Sequence, residues 1–161
     1  DFGWKVTLET APLPDGRSKK SVRVHRCDSA HIIAFKTKET ILMLREFRAF
    51  YGEYIWMLPS GKADKEMDML EAARRELREE TGFDARQLEY YCNGNLSDSV
   101  SITNHIFVAH DLFENPLEQD HDELMEVHEM TLDEALKHVL ESHKVHLVSA
   151  YALLRYMKER A

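Results

Sequence analysis

One segment with a helical period, Asp68 to Thr81, lies between two long stretches whose apolar residues alternate as strands do. That order constrains the fold most, because an apolar helical stripe and an apolar sheet face can each be hidden only against another element. The stripe is Leu70, Ala73 and Leu77. Before it the sequence predicts strands at Trp4–Thr10, Ser21–His25, His31–Lys36 and Ile41–Phe47, with Pro14-Asp15-Gly16 and Thr37–Thr40 as connections. After it come strands at Leu88–Cys92, Ile102–Ala109 and Leu124–Met130, then helices from Thr131 to Glu141 and Val145 to Lys158. Asp68 with Glu71 and Thr131 with Glu134 have the spacing of capping boxes, and Gly82 stands where a helix ends in a left-handed residue. The expected architecture is α/β (α+β), a mixed sheet between helices. A chain of 161 residues suffices for one such domain. Residues 1–28 form an antiparallel hairpin extension in this reading, and 29–161 the core.

A formal charge of −8 argues against nucleic acid, whose binding draws on lysines and arginines that neutralise phosphates. No apolar run approaches the length of a membrane span. Two cysteines far apart, Cys27 and Cys92, predict no disulfide framework and a reducing cytoplasmic setting. An acidic protein acting on a phosphorylated molecule needs local compensation from a divalent metal or from placed arginines.

Candidate metal ligands and arginines both occur in Arg75-Glu76-Leu77-Arg78-Glu79-Glu80. At 3.6 residues per turn, Glu76, Glu79 and Glu80 occupy i, i+3 and i+4 and fall within about a 100° sector. Their mutual repulsion is relieved by hard cations such as Mg²⁺ or Mn²⁺, which prefer oxygen ligands. A solvated acidic face is the commoner meaning of such a triplet. The wider spacing decides against it. Gly61, Arg75, Glu76, Leu77, Glu79, Glu80, Gly82 and Phe83 resemble the Nudix box, a glycine, five residues, a glutamate, seven residues, then Arg-Glu-aliphatic-x-Glu-Glu-x-Gly-aliphatic. Met67 stands where that box has its first glutamate.

The resemblance implies a Nudix-type mixed sheet sandwiched between helices, and a metal held by Glu76, Glu79, Glu80 and the Ser60 carbonyl. It implies catalytic roles for Arg75, Glu76 and Glu79. Leu13–Arg17, Leu44–Arg48 and Trp56–Gly61 extend the likeness to the ADP-ribose pyrophosphatase, or sugar-nucleotide hydrolase, branch. That branch implies a homodimer and cleavage of a nucleoside diphosphate-sugar to a nucleoside monophosphate and a sugar phosphate. The alternatives are hydrolysis of a nucleoside triphosphate or dinucleotide polyphosphate, and a weakly active sensor. Arg45, Arg48 and Trp56 are the substrate-binding candidates. The two arginines lie three apart on a strand and cannot both face one side, and Arg45 is the favoured one. Thr103 falls where relatives place a catalytic acid, which leaves Asp98 or the run Asp120-His121-Asp122-Glu123, with Glu123 preferred, to supply the base. His138, His143 and His146 read as solvated helix histidines.

Overall fold

The computed structural model describes residues 4–63, 68–119 and 124–160. A hairpin of β1 (Lys5–Pro12) and β2 (Ser18–His25) leads into β3 (Ser29–Phe35), β4 (Thr40–Arg48), β5 (Glu53–Met57) and β6 (Ser60–Lys62). Helix α1 (Met69–Thr81) follows, then β7 (Phe83–Gly94), β8 (Val100–Ser101), β9 (Asn104–Glu114) and β10 (Met125–Thr131), and finally α2 (Leu132–Glu141) and α3 (Leu147–Arg160). The larger sheet runs β10-β4-β3-β9-β7, with β5 added to β4 and β6 to β3. Its β3–β9 pair is parallel and its other pairs are antiparallel, so the sheet is mixed.

Strand parity sorts the core into two layers. Ala30, Ile32 and Ala34 of β3 join Phe107 and Ala109 of β9 beneath Ala73 and Leu77 of α1. Ile33, Phe35, Ile106 and Val108 face the other way, against Val139 of α2 and Leu153 of α3. Both sheet faces are therefore dry, which explains why β3 reads as a continuous apolar run. His31 shares the register of Ile33 and Phe35 and is a polar intrusion into the α2/α3 face.

Several sequence expectations need amending. Asp68 is the N-cap of α1, but its side chain makes no capping bond, whereas Thr131 and Glu134 form the full reciprocal box. Leu70 is more than a third exposed, and the buried stripe is Ala72, Ala73 and Leu77. Strand β7 is twelve residues long, with a register shift between Tyr90 and Cys92 that masks its alternation. Strands β5, β6 and β8 were not foreseen, because two are very short and the third follows a left-handed Gly52. Gly82 ends α1 with φ of 77° and donates its N–H to the Arg78 carbonyl, as its position implied. Among the described residues no helix is long and apolar enough to cross a membrane.

The smaller sheet, β1-β2-β8, carries a different surface. Val6 and Leu8 are about 70% exposed and Val22 more than half, so this alternating apolar face has no cover among the described residues.

Candidate active site

Helix α1 is fixed by two of its arginines and aimed by a third. Arg74 binds the Asp84 carboxylate and the Ala85 carbonyl, and Arg78 donates to the Asn115 carbonyl, which ties the helix to β7 and to the segment after β9. Arg75 turns instead to the site. Its guanidinium donates to the Lys62 carbonyl at 3.0 Å and to Glu76 at 2.9 Å, and lies 3.7 Å from Glu79. The carboxylate of Glu80, 7% exposed, accepts the Ser60 N–H at 2.6 Å. Gly61 permits the approach of Glu76, for a Cβ built there would overlap that carboxylate. The box glycine and the box glutamates are thus one packed unit, β6 lying against α1.

These groups line one wall of a cavity of about 720 Å³ that wraps the end of β3 and β6. The opposite side is made by His31, Glu46, Arg48, Met57, His146 and Val148, and the segment before β9 adds Leu96, Val100 and Ile102 to the lining. Burial, reinforced by the nearby His146, pushes the His31 imidazole down to about 3. Burial, with Arg48 adding to it, takes His146 down to about 4. Both rings are neutral at physiological pH. Burial raises the Glu46 carboxyl above the usual range, and Arg48, bonded to it at 2.9 Å, opposes that rise.

The structure brings Ser60, Arg75, Glu76, Glu79, Glu80 and Arg48 to this cavity, but not every candidate. The preference for Arg45 is corrected. Its guanidinium stacks 4.1 Å from the Tyr54 ring and pairs with Glu126, on the side of β4 away from the cavity, while Arg48 has the inward register. Trp56 pairs with Arg45 across β4 and β5 and shares its side, stacked on His138 and against His128, so it is not a cavity residue. Asp98 is an exposed partner of Lys19 at 3.8 Å and does not line the cavity. Thr103 donates its N–H to Asp28, and its loop contributes the apolar side chains Leu96, Val100 and Ile102 to the cavity. Met67 and Glu123 lie outside the described residues. Sequence reasoning missed His31, Glu46 and the cavity position of His146. A polar residue in the inward register of β3 was the signal for the first.

A divalent cation fits the helix wall by chemistry: three carboxylates and a main-chain carbonyl are hard oxygen donors of the kind Mg²⁺ and Mn²⁺ take. Among the described residues no three His, Cys, Asp or Glu side chains already stand at ligand spacing. Arg75 and the Ser60 N–H hold the glutamates as separate donors around the Gly61 cradle.

A mixed sheet between helices carries Glu76, Glu79 and Glu80 along one cavity, with Glu76 packed on a glycine cradle. The sequence profile of the NUDIX domain matches residues 25–151, and the chain belongs to the Nudix family. It is similar to the ADP-ribose pyrophosphatase of Bacillus subtilis, 31% identical over 157 residues that cover 94% of this chain and 83% of that protein. It is 32% identical over 140 residues to the methanol dehydrogenase activator of Bacillus methanolicus, covering 85% of this chain and 76% of the relative. A solved structure described as an ADP compounds hydrolase superposes with a TM-score of 0.77 at 25% identity, over 98% of this chain and 88% of its own. Within the family this protein is a pyrophosphohydrolase of the ADP-ribose pyrophosphatase branch.

Proposed function

We propose that the protein hydrolyses the diphosphate linkage of a nucleoside diphosphate-sugar such as ADP-ribose, releasing a nucleoside monophosphate and a sugar phosphate. The observation that carries this reading is that Glu76, packed on Gly61, and Glu80, bonded to the Ser60 N–H, line one cavity together with Glu79 and Arg75. The donors we assign to Mg²⁺ or Mn²⁺ are Glu76, Glu79, Glu80 and the Ser60 carbonyl. When bound, the cation supplies charge neutralisation of the diphosphate and activation of the attacking water. The protein's own residues do the rest. Arg75 holds Glu76 and Glu79 in place, the Ser60 N–H orients Glu80, and Leu96, Val100 and Ile102 add an apolar edge to the cavity. Glu76 has the position to take a proton from water at the helix wall, and Glu123 is the base expected from sequence. Arg48 meets the substrate from the far wall.

A second reading, a slow hydrolase that chiefly senses its ligand, is favoured by the loop before β9, which has Thr103 where an acid is expected. One assay separates the two: release of phosphorylated products from a panel of nucleotide sugars, triphosphates and dinucleotide polyphosphates, with Mg²⁺ or Mn²⁺. The first reading expects rapid turnover of a diphosphate-sugar and little of the triphosphates. Tight binding without turnover would sink it and support the second.

The partner we propose is a second copy of the chain. The open face of Trp4, Val6, Leu8 and Val22 is the apolar surface that a dimer would cover. Sedimentation is expected to give a dimer, and removal of residues 1–20 a monomer with weakened substrate binding. A native monomer at micromolar concentration overturns this. Residues 1–28 and 29–161 then act as one functional domain, in a reducing compartment suited to the free thiols of Cys27 and Cys92.

A further inference from the structure

The far wall of the cavity holds a chain of hydrogen bonds that fixes the protons on two rings. Asn104 donates from Nδ2 to the Gly94 carbonyl, which orients its amide, and its Oδ1 accepts the Ser29 hydroxyl at 2.9 Å. The one hydroxyl hydrogen of Ser29 is then spent, so Ser29 Oγ accepts from His31, 3.0 Å away, and the His31 proton sits on Nε2. Its Nδ1 is a bare acceptor. That atom is buried and has no hydrogen-bond partner, in a residue 5% exposed that lines the cavity. A buried acceptor left unmatched is costly, and a cavity floor is where a ligand would match it.

The second ring is set by a main-chain donor. The Ser149 N–H points to His146 Nδ1 at 3.4 Å, so Ser149 Oγ, which accepts the Leu58 N–H at 2.9 Å, gives its own hydrogen to that nitrogen at 2.7 Å. His146 Nδ1 is therefore an acceptor, and its proton lies on Nε2. The two rings, 5.8 Å apart between centroids, offer the cavity one acceptor and one donor. A hydroxyl is the group that can use both, giving its hydrogen to one ring and its lone pair to the other.

We propose that His31 and His146 form a hydroxyl-reading pair, selecting a diphosphate whose outer group is an uncharged, hydroxyl-bearing moiety such as a sugar. The pair deepens the reading of the site as a diphosphate-sugar hydrolase and rests on it for the placement of the diphosphate at the helix wall.

The test is calorimetric binding, with Mg²⁺ present, of two ligands whose scissile oxygen is replaced by methylene. One is α,β-methylene-ADP-ribose, and the other is α,β-methylene-ADP bearing a plain ethyl ester on its outer phosphate. The wild type is expected to favour the ribose ligand by about tenfold or more, since loss of a matched hydroxyl strands a buried polar group. His31→Leu is expected to bring the two affinities within about threefold, and His31→Asn, whose side-chain oxygen offers an acceptor near the place of Nδ1, to restore much of the preference. Equal affinities in the wild type, an unreduced preference in His31→Leu, or no binding of either ligand overturns the proposal. Side-chain ¹H–¹⁵N correlation spectra of the wild type decide the tautomers whether or not His31→Leu folds. A proton on His31 Nδ1 overturns the proposal outright. The two readings fail separately, because a preserved preference with no turnover of ADP-ribose rejects the hydrolase alone, and turnover with no preference rejects the pair alone.

Discussion

The two walls of the cavity acquire their polarity in opposite ways. On the α1 side the polar groups are charged, come from one helix, and are held by short local contacts: Glu76 by Arg75, Glu80 by the Ser60 N–H. On the His31 side the groups beside the Glu46–Arg48 pair are neutral, and they are oriented by bonds between residues as far apart as Ser29 and Asn104, 75 positions. Charge suits the wall expected to meet phosphate and cation, where strong fields are wanted. Fixed neutral dipoles suit a wall that must distinguish one uncharged group from another, where a bare charge would attract indiscriminately.

The largest expected effect tests the charged wall. Glu80→Gln keeps an acceptor for the Ser60 N–H but removes a negative charge, so turnover with Mg²⁺ is expected to fall by about a hundredfold or more with little change in melting temperature. Unchanged turnover would remove α1 from the chemistry. Gly61→Ala comes next, because its Cβ would overlap Glu76 and push it from the cradle. A drop of about tenfold in kcat is expected, with KM less affected, since the misplaced group acts after binding. Activity at the native level would mean that β6 and α1 are not locked together.

Crossing to the opposite side, the arginines of β4 give a paired measurement. Arg48→Met is expected to raise KM by about tenfold, and Arg45→Met by less than twofold, because only the former lines the cavity. The reverse order would return the role to Arg45.

The smallest effect is one of stability. His146 has its pKa lowered by burial from the ordinary imidazole value of 6.5 to about 4. The unfolded chain therefore takes up a proton there first as pH falls, and the folded state loses stability from about pH 6.5 down to about pH 4, with no effect above that window. At pH 5 the loss amounts to about 1–2 kcal/mol. His146→Asn preserves a cap on α3 and cannot titrate, so its melting temperature is expected to change less between pH 7 and pH 5 than that of the wild type. Parallel pH profiles would contradict the burial of this ring.

How much of this was legible follows from the range of the interactions involved. The helix wall could be read because 3.6 residues per turn converts Glu76, Glu79 and Glu80 into one face without knowledge of any other element. Period-two alternation gave β3 and β4, and it correctly placed Arg45 and Arg48 on opposite sides. Which side was inward depends on how β4 pairs with β5 and on the course of the segment before β9, and neither is written locally. His146 looked like a solvated residue at a helix junction. It is held inward by Ser149, which also binds the Leu58 N–H across 91 positions of sequence. Period-two counting also loses its phase where β7 bulges, and it has nothing to count in strands of two or three residues such as β6 and β8.

The two-residue parallel ladder between β2 and β8 has a mechanical consequence. Val24 pairs with Val100 and His25 with Ser101, so the hairpin is stitched to the segment whose Leu96, Val100 and Ile102 roof the cavity. Arg26, directly after β2, lines the cavity, and its guanidinium lies 4.3 Å from the ring of Trp4 on the open apolar face. The hairpin is therefore tethered to the cavity edge at the end of β2, and its open apolar face lies one side chain, Trp4, away from a residue that lines the cavity.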